Sequence, residues 1–225
     1  MPGNKWLGFL QKYKYELLLF ALIQHLYVGI ILTDLSLYAR TIWPLNMVVL
    51  GIASVGIFIE KARLKNISFH LFSLLVFVLP LFVPQLRNPD KYVMWLSAVY
   101  FLYFGFIFVE ILRFLIRPGY LNRDIISAAA CGYLLVIEIN VFILQFLFYQ
   151  NPSCLNNVHT GGPAVTYMDI VYFCTIIQTT IGFGDITPAA HYTKLLSSLF
   201  GVIGQFYSVV LVGILISKFS SKQNS

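Results

Sequence analysis

The chain has 225 residues, of which 59% are hydrophobic and only 11% are charged, and its mean hydropathy is +0.80. A soluble domain of this length does not need so much apolar sequence, so the composition excludes that class and predicts an integral membrane protein. The net charge of +6 comes from basic residues scattered through short loops. This scatter is typical of membrane topology and does not indicate a nucleic-acid partner.

The N-terminal segment, residues 1–14, is predicted to be a cytoplasmic, interfacial helix. Three lysines alternate there with large apolar side chains, a pattern that favours a helix lying at the membrane surface. A cleavable signal peptide is not expected, because the apolar run begins late and continues into a full span.

A spanning helix needs about 20 mainly apolar residues. Six segments meet this requirement, namely 15–33, 42–60, 67–84, 92–116, 124–149 and 192–217. The third contains Pro80 and Pro84, so we expect it to kink or to end early. The first four are assigned to a membrane bundle, residues 15–116, and a linker at 117–123 joins this bundle to the rest. The tail, residues 218–225, is too short for a cytoplasmic gating domain.

A different element is predicted between the last two spans. Residues 150–165 are rich in Asn, Gly and Pro and indicate a surface loop. Residues 166–179 are apolar but too short to cross a bilayer, which favours a re-entrant half-helix. The predicted fold class is therefore all-α integral membrane, with six transmembrane helices plus this re-entrant helix.

The segment that follows the half-helix has the sequence Thr180-Ile181-Gly182-Phe183-Gly184, with Asp185 next. Two glycines at alternate positions permit a backbone with φ above zero, where a side chain would clash. Successive carbonyl oxygens can then face one side and replace the water shell of a dehydrated cation. Non-helical backbone of this kind is tolerated at membrane depth only where it lines a wet pathway or is buried in protein.

This motif resembles the selectivity filter of the potassium-channel family, Thr-Val/Ile-Gly-Tyr/Phe-Gly followed by Asp. The resemblance is specific over residues 165–217 and only architectural over the first 120 residues. It implies a six-helix, one-pore-loop subunit whose pore domain, residues 124–217, is similar to that of bacterial potassium channels. Within that domain it implies an outer helix at 124–149, a pore helix at 166–179, a filter at 180–184 and an inner helix at 192–217.

The resemblance also implies the roles of the site residues. Potassium would be bound by the backbone carbonyls of Thr180, Ile181, Gly182 and Phe183 and by the Thr180 hydroxyl, while Gly184 permits the exit turn. Asp185 would concentrate cations at the outer mouth. Thr179, Tyr172 and Phe173 fit the positions that support the filter.

The sequence departs from the family pattern in three places, one of which is a pair of residues. Phe183 replaces the commoner Tyr, Tyr172 and Phe173 replace a pair that is often Trp-Trp, and Ile176 stands where some members have Glu. We therefore expect selectivity to be kept and the stability of the conducting filter to be reduced.

The number of filter motifs predicts the assembly, and the distribution of basic residues predicts the orientation in the membrane. Because the chain holds one filter motif, a four-fold ring needs four copies, so a homotetramer is expected. With both termini inside, eleven basic residues lie on the cytoplasmic side and four on the other, as the positive-inside rule requires. The expected partners are the chain itself, membrane lipid and potassium ions, the expected location is the plasma (cell inner) membrane, and no cofactor is expected.

The fourth span lacks the basic ladder of a voltage sensor. Residues 92–112 contain no Lys or Arg, and Arg113 and Arg117 come only at the inner end. A sensor needs several charges that cross the field, each worth about 2.3 kcal/mol per 100 mV. The bundle is therefore predicted to have the shape of a voltage sensor without its function.

Gly204 and Glu138 each have two interpretations. Gly204 falls where related channels often have a hinge glycine, but small residues also mark close helix packing. Glu138, in the middle of the fifth span, favours either a proton-sensitive contact with a neighbouring helix or a neutral structural group near Asn140 or Gln145. The single histidines His25 and His70 are predicted to be packed, and Glu110 is predicted to pair with Arg113.

The three cysteines do not have the spacing of a metal site. Cys131 and Cys174 are predicted to be buried, whereas Cys154 lies in a polar loop where exposure, and a disulfide between subunits, stay open.

The sequence thus predicts passive potassium conduction by a homotetramer and no catalysed reaction. The alternatives are a less selective monovalent cation channel, a potassium-transporter subunit and a non-conducting regulatory subunit. A membrane enzyme is the least favoured, because no nucleophile, base or metal ligands cluster.

Overall fold

The computed structural model describes residues 5–31, 34, 37–58, 76, 78–79, 82, 89–117 and 122–223. In chain order the helices are α1 (Lys5–Lys12), α2 (Lys14–Tyr27), α3 (Trp43–Phe58), α4 (Asp90–Ile116), α5 (Arg123–Gln150), α6 (Pro163–Gln178) and α7 (His191–Gln223). A π-helical turn, Tyr38–Ile42, leads into α3, and 3-10 turns lie at Val28–Ile30 and Pro152–Cys154. Strands β1 (Leu155–Asn156) and β2 (Thr187–Pro188) pair antiparallel.

Four helical stretches within these described residues are long and apolar enough to cross a membrane: Arg40–Ile57, Asp90–Ile116, Arg123–Gln150 and His191–Ser217. The all-α membrane class is therefore confirmed with four candidate spans, fewer than the six expected. In place of the first expected span, 15–33, lies the helix α2, which is only 14 residues long and ends where the 3-10 turn begins. The third expected span, 67–84, lies almost wholly outside the described residues, and so does His70.

Local signals explain where the long helices begin and end. The side chain of Asn122 caps α5 by accepting a hydrogen bond from the Ile125 amide at 3.0 Å. Asp90 lies in the first turn of α4 and Arg113 in its last, which is the favourable order for the helix dipole. Arg113 also pairs with Glu110 at 2.8 Å, so this predicted pair is confirmed.

The core lies where α4 runs along α5 and where α2 packs against α3 and α5. Its largest fully buried side chains include Tyr100, Tyr103 and Phe104 of α4 and Phe142 of α5. The rings of Phe104 and Phe142 stack with centroids 5.4 Å apart and planes 8° apart. This aromatic packing holds α5 in place, and α5 in turn supports α6 and α7.

The last helix, α7, is held mainly at one side. Tyr207 donates a hydrogen bond to the Ala129 carbonyl of α5 at 2.9 Å and lies over Gly132, where a Cβ would collide with its hydroxyl. The remaining faces of α7 carry exposed apolar side chains such as Val202, Phe206 and Val209. Lipid or further copies of the chain are needed to cover them.

Candidate ion-conduction site

The re-entrant helix α6 begins three residues before its predicted start. Gly162 adopts φ of 121° and Pro163 occupies the first turn, a position where proline favours helix initiation because its missing N–H needs no partner. The helix ends at Gln178, one residue before the predicted end. Phe173 of this helix is buried in the core, and the Thr179 hydroxyl donates to the Thr175 carbonyl at 2.8 Å.

The sign of φ alternates along the backbone after α6, as the two glycines allow. Gly182 has φ of 55° and Gly184 has φ of 82°, and Thr180 also has a positive φ, 62°. A positive φ is uncommon for a residue with a Cβ, and nothing in the sequence pointed to it at Thr180. The three positive values fall on alternate residues, so the chain between them does not form a regular helix or strand.

The amides of this segment are tied back to the end of α6. The Ile181 amide donates to the Ile176 carbonyl at 2.9 Å, the Gly182 amide donates to the same carbonyl at 3.2 Å, and the Thr180 amide donates to the Ile177 carbonyl at 3.0 Å. Two amides therefore share one helix-end acceptor. This arrangement satisfies the donors of the segment without using its own carbonyls.

The carbonyl oxygens of residues 180–183 accept no hydrogen bond from any described residue. The side chains beside them are exposed, with Ile181 56% and Phe183 70% accessible in the single chain. The Thr180 hydroxyl donates to the Thr179 carbonyl at 2.6 Å, so its lone pairs are still available to a cation. The segment thus offers a run of unpaired backbone oxygens, which is the chemistry that replaces a cation's hydration shell.

Asp185, at the outer end of this segment and outside the spanning helices, is held from two sides. Its carboxylate accepts a hydrogen bond from the Tyr172 hydroxyl at 2.6 Å, and its backbone carbonyl accepts one from the Asn157 side chain at 2.7 Å. The Tyr172 hydrogen bond lowers the pKa of Asp185 below its ordinary value. The carboxylate of Asp185 is therefore held in place beside residues 180–184, and the Asn157 contact was not predicted from the sequence.

The loop before α6 fastens the segment after Asp185. Strand β1 pairs with β2 through Leu155–Pro188 and Asn156–Thr187, and the Cys154 carbonyl accepts from the Ala189 amide at 2.9 Å. Cys154 itself is fully buried and its thiol is free. Exposure of Cys154 was therefore the wrong alternative, because this loop folds onto the start of α7 and covers the thiol.

The inner side of the segment rests on Gln178. Its amide nitrogen donates to the Tyr133 carbonyl of α5 at 2.8 Å, and its Cγ faces Gly204 of α7, where an added Cβ would lie only 2.6 Å away. Gln178 thus joins α5, α6 and α7 just below the filter. This contact supports the packing interpretation of Gly204, and the hinge stays a prediction.

Of the two interpretations of Glu138, the structure shows the contact with a neighbouring helix, and Asn140 has no hydrogen-bond partner among the described residues. The proton sensitivity of this contact stays a prediction. Oε1 of Glu138 lies 2.7 Å from Nδ1 of His25 on α2, and both side chains are fully buried. His25 is buried, as predicted, but its bond to Glu138 was not predicted. The two residues lie 113 positions apart in the chain, so no local pattern marks them as neighbours.

No group of three or more His, Cys, Asp and Glu that could hold a metal ion lies within the described ranges. The candidate ligands at this site are backbone oxygens.

Comparisons with known proteins agree with this geometry. Residues 134–221 match a family described as "Ion channel". The matched segment runs from the middle of α5 through α6, the filter and α7. Over this segment, which is less than half of the chain, the protein is similar to an ion-channel family.

Parts of the chain are also similar to plant potassium channels. "Two-pore potassium channel 3" of Arabidopsis thaliana is 33% identical over 97 residues, which cover 43% of this chain and 20% of that protein. "Two pore potassium channel c" of Oryza sativa subsp. japonica is 41% identical over 86 residues, 35% of this chain and 18% of that protein. The chain spans about a fifth of the length of these relatives. No solved structure gives a significant match.

Proposed function

We propose that four copies of this chain form a potassium-selective channel that conducts passively across the membrane. The observation that carries the proposal is the run of unpaired carbonyls at residues 180–183, whose amides are held by the end of α6. Four such segments around an axis provide stacked rings of oxygen ligands. The carbonyls of Thr180, Ile181, Gly182 and Phe183 are the proposed potassium ligands, and Gly184 forms the exit turn.

The surroundings of the filter support this assignment. Asp185 supplies a negative charge at the outer mouth, held by Tyr172, and the C-terminal end of α6 points its dipole at the inner end, which favours a cation there. Phe173 anchors α6 in the core. Thr179 closes the last turn of α6 beside the filter.

Assembly into a homotetramer is supported by what a single chain leaves uncovered. The filter residues Ile181 and Phe183 and one side of α7 are exposed in one chain, and a single filter segment cannot enclose a pathway. Closed rotational symmetry covers these surfaces with copies of themselves. Six spans, two cytoplasmic termini, a plasma-membrane location and the division into bundle, 15–116, and pore domain, 124–217, belong to the same proposal.

Weak voltage dependence is proposed from the composition of α4. Its only basic residues are Lys91, at the start, and Arg113, near the end, and Arg113 is engaged with Glu110. No charge ladder is therefore available to cross the field.

Recording from purified protein in planar bilayers tests both points. With potassium on one side and sodium on the other, we expect the reversal potential to follow the potassium gradient and the conductance to vary little with voltage. Equal permeability to sodium and potassium would instead favour the less selective cation channel. A conductance that rises steeply, with several gating charges, would reject the voltage-insensitive bundle.

Two other functions are addressed by the same preparation. A well-folded tetramer that never conducts would favour a regulatory subunit. Potassium uptake that depends on a second ion would favour a transporter subunit. Cross-linking followed by mass measurement counts the subunits and decides the tetramer independently of any current.

A further inference from the structure

His25, Glu138 and Tyr167 meet inside the protein. His25 comes from α2, Glu138 from α5 and Tyr167 from α6. The cluster therefore joins the N-terminal bundle to two helices of the pore region, α5 and α6. Nδ1 of His25 lies 2.7 Å from Oε1 of Glu138 and 3.1 Å from the hydroxyl of Tyr167. Ionisable groups in the membrane interior are rare, and they mark functional sites more often than structural ones.

The hydrogen bonding of this cluster is incomplete. Within the described part of the chain, Nε2 of His25 and Oε2 of Glu138 are buried and have no hydrogen-bond partner. If Glu138 donates a proton to Nδ1, the Nε2 hydrogen is left unpaired. If Nδ1 donates instead, either the Nε2 hydrogen or a carboxyl hydrogen is left unpaired. A purely structural pair would be expected to satisfy these atoms.

The net charge of the cluster changes whenever one proton enters or leaves. The pair is neutral when Glu138 and His25 share a single titrating proton, and it becomes positive on gaining one and negative on losing one. In the apolar interior an uncompensated charge is unfavourable. Proton uptake there must therefore be accompanied by rearrangement or hydration of the groups around it.

Tyr167 is placed to respond to the proton. When Nδ1 of His25 lacks a hydrogen, the Tyr167 hydroxyl can donate to it. When Nδ1 carries one, the Tyr167 oxygen can only accept. The bond that the pore helix α6 makes to the cluster thus depends on whether Nδ1 carries a hydrogen.

The other titratable groups that face the cluster come from several elements. Tyr38 of the π-helical turn and Cys174 of α6 lie within electrostatic range of Glu138, and Tyr100 of α4 lies within range of Tyr167. Tyr207 of α7 is bonded to the Ala129 carbonyl, more than two turns away along α5. Tyrosine and cysteine ordinarily ionise only at alkaline pH, so the candidate proton-binding groups of the cluster are His25 and Glu138.

Two further contacts join α2 and the 3-10 turn after it to the pore helix α6. The hydroxyl of Tyr27 lies 3.4 Å from that of Thr175, and Gly29 lies against the side chain of Met168, where a Cβ would approach to 2.8 Å. The far end of the same helix holds the filter amides through Ile176. A shift of α6 at Tyr167 therefore reaches the filter through one rigid helix.

We propose that His25, Glu138 and Tyr167 form a proton-binding site that couples the N-terminal bundle to the pore helix and thereby sets the activity of the filter. The electrical consequence rests on the proposed channel function, whereas proton binding itself does not. Protons are the ligand, His25 and Glu138 bind them, and Tyr167 is a positioning residue that transmits the change.

Infrared difference spectroscopy tests proton binding without any need for current. Spectra of the purified full chain at mildly acidic and near-neutral pH are subtracted, and the carboxyl C=O band is followed. We expect Glu138→Gln to remove one band that the unmodified protein shows. Glu110→Gln is the matched control, because Glu110 lies at the helix end beside Arg113, and it should keep that band. A difference spectrum unchanged by Glu138→Gln overturns the proposal.

Bilayer recordings test the coupling. We expect the current of the unmodified channel to change several-fold over the same pH range, and Glu138→Gln and His25→Gln to abolish this change while potassium selectivity is kept. Tyr167→Phe should keep the infrared band and reduce the pH response of the current, a separation that a merely structural role does not produce. His159→Gln is the control for the exposed His159–Asp169 pair and should leave the response intact.

The failures are distinguishable. A pH response that survives Glu138→Gln, or one that only His159→Gln removes, overturns the proposal. If neither the unmodified protein nor any variant conducts, the proposed channel function fails. The infrared band then still decides whether the site binds a proton. If Glu138→Gln does not fold, Tyr167→Phe removes a single hydroxyl, and an unaltered pH response in that variant overturns the coupling.

Discussion

The pore region, residues 123–223, and the described N-terminal bundle, residues 5–31, 37–58 and 90–117, differ in the role of their polar groups. In the pore region, φ alternates in sign at residues 180–184, and the carbonyls of residues 180–183 have no hydrogen-bond partner among the described residues. In the bundle, polar side chains link one helix to another, as Ser54 with Tyr103 at 2.8 Å and Gln24 with Asn46 at 3.0 Å. The pore region thus offers backbone oxygens that we propose as cation ligands, whereas these bundle contacts hold helices together.

The largest effect is expected from a glycine in the filter. Gly182 has φ of 55°, and a Cβ added there would meet no atom within 4 Å, so Gly182→Ala acts through the backbone alone. The left-handed conformation costs an L-residue about 1–2 kcal/mol. In a tetramer, all four copies would carry this strain, and the backbone at residue 182 would leave the left-handed conformation in each of them. We expect loss of potassium conduction with tetramer assembly retained, measured by recording and by size-exclusion chromatography.

The matched control lies in the bundle. Gly105 is helical and also has no atom within 4 Å of an added Cβ, so Gly105→Ala should conduct normally, because alanine favours a helix by about 0.5–1 kcal/mol over glycine. Loss of current in both variants, or in neither, would contradict the assignment of the filter.

The next effect concerns Gly204, where an added Cβ would lie 2.6 Å from Cγ of Gln178. Because Gln178 is fixed to the Tyr133 carbonyl, it cannot move freely, and overpacking of this kind costs about 1–3 kcal/mol. We expect Gly204→Ala to lower the yield and thermal stability of the tetramer, with normal open probability in the channels that survive. Detergent-stability assays and single-channel recording measure the two quantities.

A double variant separates packing from hinge bending. Adding Gln178→Ala to Gly204→Ala removes the close contact but leaves the helix propensity of alanine. The double variant should therefore form a tetramer that is no less stable than the tetramer of Gln178→Ala alone. A hinge predicts instead that open probability falls several-fold and stays low in the double variant. Gly201→Ala, whose Cβ would lie an ordinary 3.5 Å from Ile177, is the control.

The features that depend on local sequence were predicted better than those that depend on contacts between distant segments. Helix α6 starts three residues before its predicted start, and α7 starts one residue before its predicted start but ends at Gln223, six residues beyond the predicted end. The positive φ of Gly182 and Gly184 was predicted, because glycine acts locally on the backbone. The assignment of residues 180–184 as a filter stays a prediction.

The positive φ of Thr180 was missed because a residue with a Cβ rarely adopts it. The Asn157 contact was missed because it joins residues far apart in the sequence. The partner of Glu138 was missed for the same reason, because His25 lies on another helix and no local pattern joins them.

The smallest expected effect tests how Asp185 is held at the mouth. The Tyr172 hydroxyl bonds its carboxylate at 2.6 Å and lowers its pKa, so the carboxylate stays charged at pH values below the ordinary midpoint of about 4. A lowered pKa means that this hydrogen bond stabilises the mouth above the ordinary midpoint and is lost as pH falls through the lowered value. Tyr172→Phe keeps the ring and removes the bond, so the pKa of Asp185 should return upward.

We therefore expect Tyr172→Phe to conduct near neutral pH with somewhat less stable openings, and to lose current on acidification of the outer side at a higher pH than the unmodified channel. Asp185→Asn has no carboxylate to titrate, so it should remove this acid-dependent loss altogether and pass less current at low salt, where the mouth charge concentrates cations most. Acid sensitivity that is equal in the unmodified, Tyr172→Phe and Asp185→Asn channels would show that the mouth charge does not control conduction. Acidification from the outer side alone also separates this effect from proton binding at Glu138, because Glu138→Gln should leave the loss of current at the mouth unchanged.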